Sequence, residues 1–334
     1  MPRPLLLLAL LVLAAGCGGG GGDEAGAAEE GSFAVLGRVT LPTRPGGLAA
    51  GTGAVWATNP EAGEVVKIVA ATGKVAGTYK VAQAATGVAA GGGSVWVVDP
   101  LASEIVRVDE ETGEPVAHIP LANPSEIAFG FGSLWAIEGV DVTRIDAATN
   151  TVVARVAMPG SVSALTVGDD AVWVAGRSRG FGRGGDWDLA RIDPDTNRRD
   201  AEIELGEFVG ANWVATTPGA TWASVSSTER YGLARIDSRT NRVLGLAPLS
   251  RTQFPFLGRI AADDRAVWFV SALSVGRIDP RTNRLTASVH ANRFERRLAA
   301  RPDYADLGAA VVVDGDLWVA DPGTPAIVRV GRTS

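Results

Sequence analysis

The chain has 334 residues, 46% of them hydrophobic, with 42 glycines, 9 tryptophans, 3 tyrosines and one cysteine. That apolar content can fill a core and excludes disorder over most of the length. A formal net charge of −6 removes the bulk basic footprint that phosphate-backbone binding needs, so no nucleic-acid partner is expected. A single cysteine excludes an internal disulfide and a multi-cysteine metal centre.

Residues 1–16 read as an address rather than as fold. Arg3 supplies a positive charge, and Leu5 to Leu13 form an apolar run too short to cross a bilayer as a helix. Small residues Ala14, Ala15 and Gly16 then lead into Cys17. This resembles a bacterial lipoprotein signal, with Ala14 standing where the lipobox usually carries leucine. The resemblance implies lipidation at Cys17, a place in the cell envelope outside the cytoplasm, and membrane contact through that lipid only. The plainer alternative is a secretory signal with an incidental cysteine. Gly18 to Gly22 opens a flexible, glycine-rich tether over 17–32.

From residue 33 onward the sequence repeats. Tryptophan recurs in one context, as in GAVWAT at Trp56, GSVWVV at Trp96 and GDLWVA at Trp318. Trp135, Trp173, Trp222 and Trp268 complete the series, with successive spacings of 40, 39, 38, 49, 46 and 50 residues. Each unit reads as a small-residue strand, the tryptophan strand, a strand of the Arg-Ile-Asp type and, after a turn, a fourth strand. The turn carries Gly73, Gly113, Asn150, Asn197, Asn241 or Asn283, the two residue types that tolerate positive φ. Repeats of this length with four short strands predict the blades of an all-β, seven-bladed propeller. The last unit lacks a fourth strand, whereas Phe33 to Leu41 is a strand without a blade. Pairing the two predicts a closed ring over 33–331 as a single domain.

These repeats resemble the YVTN-type bacterial β-propellers, with their Val-Trp-Val and Arg-Ile-Asp-Pro-x-Thr-Asn elements, and the clearest copies are Arg191 to Asn197 and Arg277 to Asn283. The resemblance implies a seven-bladed propeller that binds or scaffolds, with no defined ligand. It is also distantly similar to virginiamycin B lyase propellers, whose chemistry depends on histidine. Here His118 falls on an outermost strand and His290 at the end of another, so acid–base work by histidine is not expected.

In a propeller the connections from strand four to the next strand one, and from strand two to three, share one face, the top. Four insertions fall in such connections: Gly176 to Trp187, Ser224 to Tyr231, Ser250 to Gly258 and Ala291 to Asp306. The top is therefore the expected binding face for a small molecule or a protein or peptide, on a monomeric chain.

Three residues after each tryptophan stand Asn59, Asp99, Glu138, Gly176, Val225, Ser271 and Asp321. Asp99, Glu138 and Asp321 are thus candidate metal ligands, with chemistry that would suit Ca²⁺ or Mg²⁺, on an acidic side of the top. The other side gathers arginines such as Arg177 and Arg251 with Phe181, Trp187, Phe254, Phe256 and Tyr304.

Nine residues before each tryptophan the entries are Gly47, Gly87, Glu126, Ala164, Trp213, Arg259 and Ala309. Crowding at an axis explains the small ones. Glu126, Trp213 and Arg259 are the exceptions and are candidates to line a channel mouth, with Arg259 suited to carboxylate or phosphate and Trp213 or Phe256 to a ring. The expected ligand-binding set is Glu126, Trp213, Arg259, Arg177 and Phe256. An enzyme is the alternative, a top-face carboxylate or metal-dependent hydrolase or lyase of the gluconolactonase or virginiamycin-lyase kind. No catalytic residue is singled out.

Overall fold

A computed structural model describes residues 32–178, 187–206, 211–226, 231–254, 257–271, 274–290, 308–321 and 324–333. Cys17 and the rest of 1–31 lie outside the described residues. Seven sheets of four antiparallel strands follow one another in chain order. Blade 1 is Leu48–Gly51, Ala54–Asn59, Glu64–Val69 and Lys74–Lys80. Blade 7 is Ala310–Val313, Asp316–Ala320, Ala326–Arg332 and, from the other end of the chain, Phe33–Thr40. The predicted ring closure is therefore present. Its register runs from Phe33 opposite Arg332 to Thr40 opposite Ala326, and Leu41 N–H donates to the Pro325 carbonyl at 2.7 Å.

The seven repeat tryptophans are all buried, none more than 1% exposed. Each sits between its own blade and a neighbour, so burying one ring joins two sheets. The strand-three cation then stacks on the ring, as with Arg107 4.9 Å from the Trp96 centroid and Arg144 5.0 Å from Trp135. From there it reaches the next blade. Arg107 Nη1 donates to the Ala147 carbonyl and to Asn150 Oδ1, Arg144 Nη1 to Asn197 Oδ1, and Arg329 Nη1 to the Ala70 carbonyl. In five of the seven blades the strand-three cation, Lys67, Arg107, Arg144, Arg235 or Arg329, is thus a hydrogen-bonded clamp to the next blade.

The turns that receive this clamp are built locally. Asn150 has φ 58° and donates its N–H to the Asp146 carbonyl, while Asp146 Oδ1 accepts from the Ala148 and Thr149 amides and the Thr149 hydroxyl. The Thr149 hydroxyl and amide hold the Asp146 carboxyl below the usual aspartate range. Asp109, Asp193 and Asp237 are lowered in the same way, led by backbone donors from Thr112, Asp195 and Thr240.

Candidate functional site at the axial mouth

Strand one of each blade lines the axis, and in four blades its ladder is interrupted by a bulge. The register shifts between Pro124 and Ile127 in blade 3, Val162 and Ala164 in blade 4, Ala211 and Val214 in blade 5, and Leu257 and Ile260 in blade 6. Glu126, Trp213 and Arg259 lie within three of those interruptions, where the extra residue re-aims a side chain. Trp213 N–H is held by Ser224 Oγ at 3.1 Å. The small entries have their own cause. A Cβ on Gly87 would stand 2.7 Å from the Ser125 carbonyl of the next blade, and one on Gly47 would stand 2.8 Å from the Thr86 carbonyl.

The three exceptions converge. Arg259 Nη1 donates to Glu126 Oε2 at 2.9 Å and Nη2 donates to Oε1, a two-pronged ion pair. The guanidinium carbon lies 4.2 Å from the Trp213 ring centroid. Blades 3 and 6 are as far apart as a seven-membered ring allows, so the pair spans the axis at the top. Arg259 and Glu126 side chains keep 30% and 26% exposure, so solvent reaches both. Arg177 is exposed at the end of the second strand of blade 4, and no contact joins it to these three among the described residues. Phe256 lies outside the described residues, as do Phe181 and Tyr304.

The carboxylates expected on the acidic side are drawn inside the blades. Asp99 is 1% exposed and accepts from the Gln83, Ala84, Leu101 and Ala102 amides, tying the four-to-one connection to the two-to-three turn. Asn59 does the equivalent in blade 1 through Thr43 Oγ1 and the Ala62 amide. Asp321 accepts from Arg38 at 2.8 Å and from the Thr324 hydroxyl, which fastens the closing strand. Glu138 accepts from Arg155, Thr143 and the Ala122 amide. Burial pushes the Glu138 carboxyl up, but those hydrogen bonds outweigh it and hold it below the usual glutamate range. The structure does not bring the three candidate metal ligands together. Among the described residues, no group of three or more His, Cys, Asp or Glu could hold a metal ion.

Two aromatic residues expected on the exposed arc belong to the core instead. Trp187 and Phe254 are fully buried. Trp187 lies against Gly176, and Phe254 packs edge-on to Phe269 at 4.9 Å. Each anchors an inserted connection to the blade beneath it. Tyr231 completes the second anchor by donating to the Phe254 carbonyl at 2.8 Å, and burial pushes its phenol up to about 12. Asp188 is a role that the repeat alignment misses: buried beside Trp187, it accepts from the Leu205 amide at 2.7 Å and serves blade 4, where Gly176 has no side chain. His118 is exposed on an outer strand and pairs with Glu104 at 2.8 Å, away from the axis.

No protein-family model matches the chain, and no curated protein matches it in sequence. Among solved structures it is similar to hydrazine synthase of Kuenenia stuttgartiensis, with 13% identity and a TM-score of 0.71 over 89% of this chain and 97% of that one. It is similar also to the Pan2 WD40 domain of Neurospora crassa, at 12% identity and TM-score 0.65 over 90% and 96%. BamB from Moraxella catarrhalis follows at 13% identity and TM-score 0.55 over 89% and 97%. At such identities the likeness is one of fold alone. The chain is a seven-bladed β-propeller with distant structural similarity to WD40 and bacterial propellers.

Proposed function

We propose that this propeller is a binding scaffold of the YVTN-like kind, held outside the cytoplasm by a lipid on Cys17, and that it takes its ligand as a monomer at the axial mouth of the top face. The observation that carries the reading is the convergence of Glu126, Arg259 and Trp213 from three blades, each on an interrupted first strand. A partly exposed charge pair against an aromatic face offers a ligand both polar direction and a flat surface. The four insertions expected on the same face lie largely outside the described residues. The catalytic alternative draws less support, because Asp99, Glu138 and Asp321 are already engaged by donors within their blades.

The test is a thermal-shift screen of the purified chain against metals, sugars, peptides and anions, repeated on Trp213→Ala and Arg259→Ala. A stabilising compound whose effect disappears in both variants supports the mouth; an unchanged response in both rejects it. The anchor is tested by fractionation. Cys17→Ala should move the protein from the membrane to the soluble fraction, and retention at the membrane would overturn the lipid assignment.

A further inference from the structure

We propose that the axial mouth binds a small zwitterion of the α-amino-acid type, its carboxylate taken by Arg259 and its ammonium by Glu126. The inference rests on reading the mouth as the binding site and names what the site accepts. The two side chains already satisfy each other through both guanidinium nitrogens and both carboxylate oxygens. An incoming anion that displaced Glu126 would gain Arg259 but leave two negative charges face to face. A cation that displaced Arg259 would create the mirror problem. Either arrangement leaves a charge without a partner, which is costly where water is partly excluded.

A ligand carrying both charges replaces each half of the pair in kind. Because Glu126 and Arg259 are in direct contact, a short separation between the ligand's charges requires the least opening, and two bonds separate carboxyl carbon from nitrogen in an α-amino acid. Trp213, now covered by the guanidinium at 4.2 Å, then offers its face to the ligand's side chain or retains the cation. The corresponding strand-one positions in the other blades are Gly47, Gly87, Ala164 and Ala309, so none of them adds a competing charge at that level.

The experiment is calorimetric titration of the full chain with L-phenylalanine, N-acetyl-L-phenylalanine and L-phenylalanine amide, the last two each lacking one charge. Phenylalanine should bind at least about tenfold tighter than either analogue. Glu126→Gln should erase its advantage over the N-acetyl form, and Arg259→Gln its advantage over the amide. Glu126→Asp, which keeps the charge, should retain a preference for the free amino acid and controls for loss of fold. An analogue that binds wild type as tightly as phenylalanine overturns the proposal, as does failure of all three to bind. If all three fail while another compound of the screen still stabilises the chain in a Trp213-dependent way, the zwitterion falls and the binding mouth stands. If nothing does so, both fall.

Discussion

Asp99 shows how one side chain holds two loops in place. Its two carboxylate oxygens take four backbone N–H groups, two from the connection that precedes the first strand of blade 2 and two from the turn that follows the second. The four donors belong to loops at the surface, where water can replace part of what the carboxylate supplies, so Asp99→Ala should destabilise the chain by about 1–3 kcal/mol in urea denaturation. Asp99→Asn should fall between, because one oxygen remains to accept while the new NH₂ faces amide donors. A melting temperature that rises with Ca²⁺ in wild type but not in Asp99→Ala would favour the metal reading instead. The sequence marks this position by its place after tryptophan but not its burial, since an aspartate facing water and one swallowed by its own loops look alike along the chain. Trp187 and Phe254 carry the same ambiguity: inside inserted connections no repeat pattern says whether a ring faces outward or pins the loop down.

At the scale of the element, the turn between strands three and four ties local geometry to the joining of blades. Asn150 supplies a positive φ and an acceptor for Arg107 of the preceding blade. Asn150→Gly keeps the backbone conformation and loses the acceptor, which should cost about 1.5–3 kcal/mol for a hydrogen bond to a charged group. Asn150→Ala should cost about 1–2 kcal/mol more through left-handed strain. In a double-mutant cycle with Arg107→Met, a coupling of about 1 kcal/mol identifies the clamp, and strict additivity excludes it.

The same turns also respond to acid. Asp109, Asp146, Asp193 and Asp237 have folded carboxyls lowered beneath their ordinary value of 3.8. Their contribution is therefore complete above that value and lost as pH falls through the depressed folded range. Replacing one by Asn should flatten the acid limb of a stability–pH profile below about pH 4 and leave its neutral limb parallel to wild type.

Both the turn and its Asn or Gly were legible because the requirement for positive φ is local. The partner of each arginine was not, because the next blade's turn lies some forty residues on and only the ring brings it near. Two seams depart from the pattern. At one, Arg191 turns to Asp170 and Asp200 within its own blade, and Asn241 Oδ1 finds no donor among the described residues. At the other, Arg277 donates to Thr286 and the Arg265 carbonyl of its own blade while meeting blade 7 through the Phe33 ring at 5.2 Å.

The whole ring depends on its first strand. Without Phe33–Thr40, blade 7 would present the full edge of Ala326–Arg332 to solvent, and exposed edges of that length invite pairing with other chains. Three further groups would be lost with it. Val39 and Leu41 are buried against blades 1 and 7, and Phe33 meets Trp268 of blade 6 edge-on at 5.4 Å, so the strand contacts both neighbours of the junction. Full burial of two aliphatic side chains is worth about 3–6 kcal/mol, before the ladder hydrogen bonds and the Arg38–Asp321 pair are included. A domain of ordinary stability holds about 5–15 kcal/mol in total. Removing the strand therefore takes the ring close to its limit. A chain beginning at residue 42 should lose its cooperative thermal transition or form aggregates in size-exclusion chromatography. Adding a peptide of residues 32–41 in trans should restore a monomer-sized, cooperative species. A truncated chain that melts cooperatively as a monomer without the peptide would show that blade packing alone closes the ring. The partners in this junction are as distant as the described residues allow, with Ser32 bonded to Thr333 across 301 positions. Closure of so long a loop carries the largest entropic cost in the fold, so the strand's contribution should appear mainly as slower unfolding rather than faster folding. Unfolding kinetics of Arg38→Ala and Val39→Ala in denaturant would separate the two, with acceleration confined to the unfolding limb as the expected result.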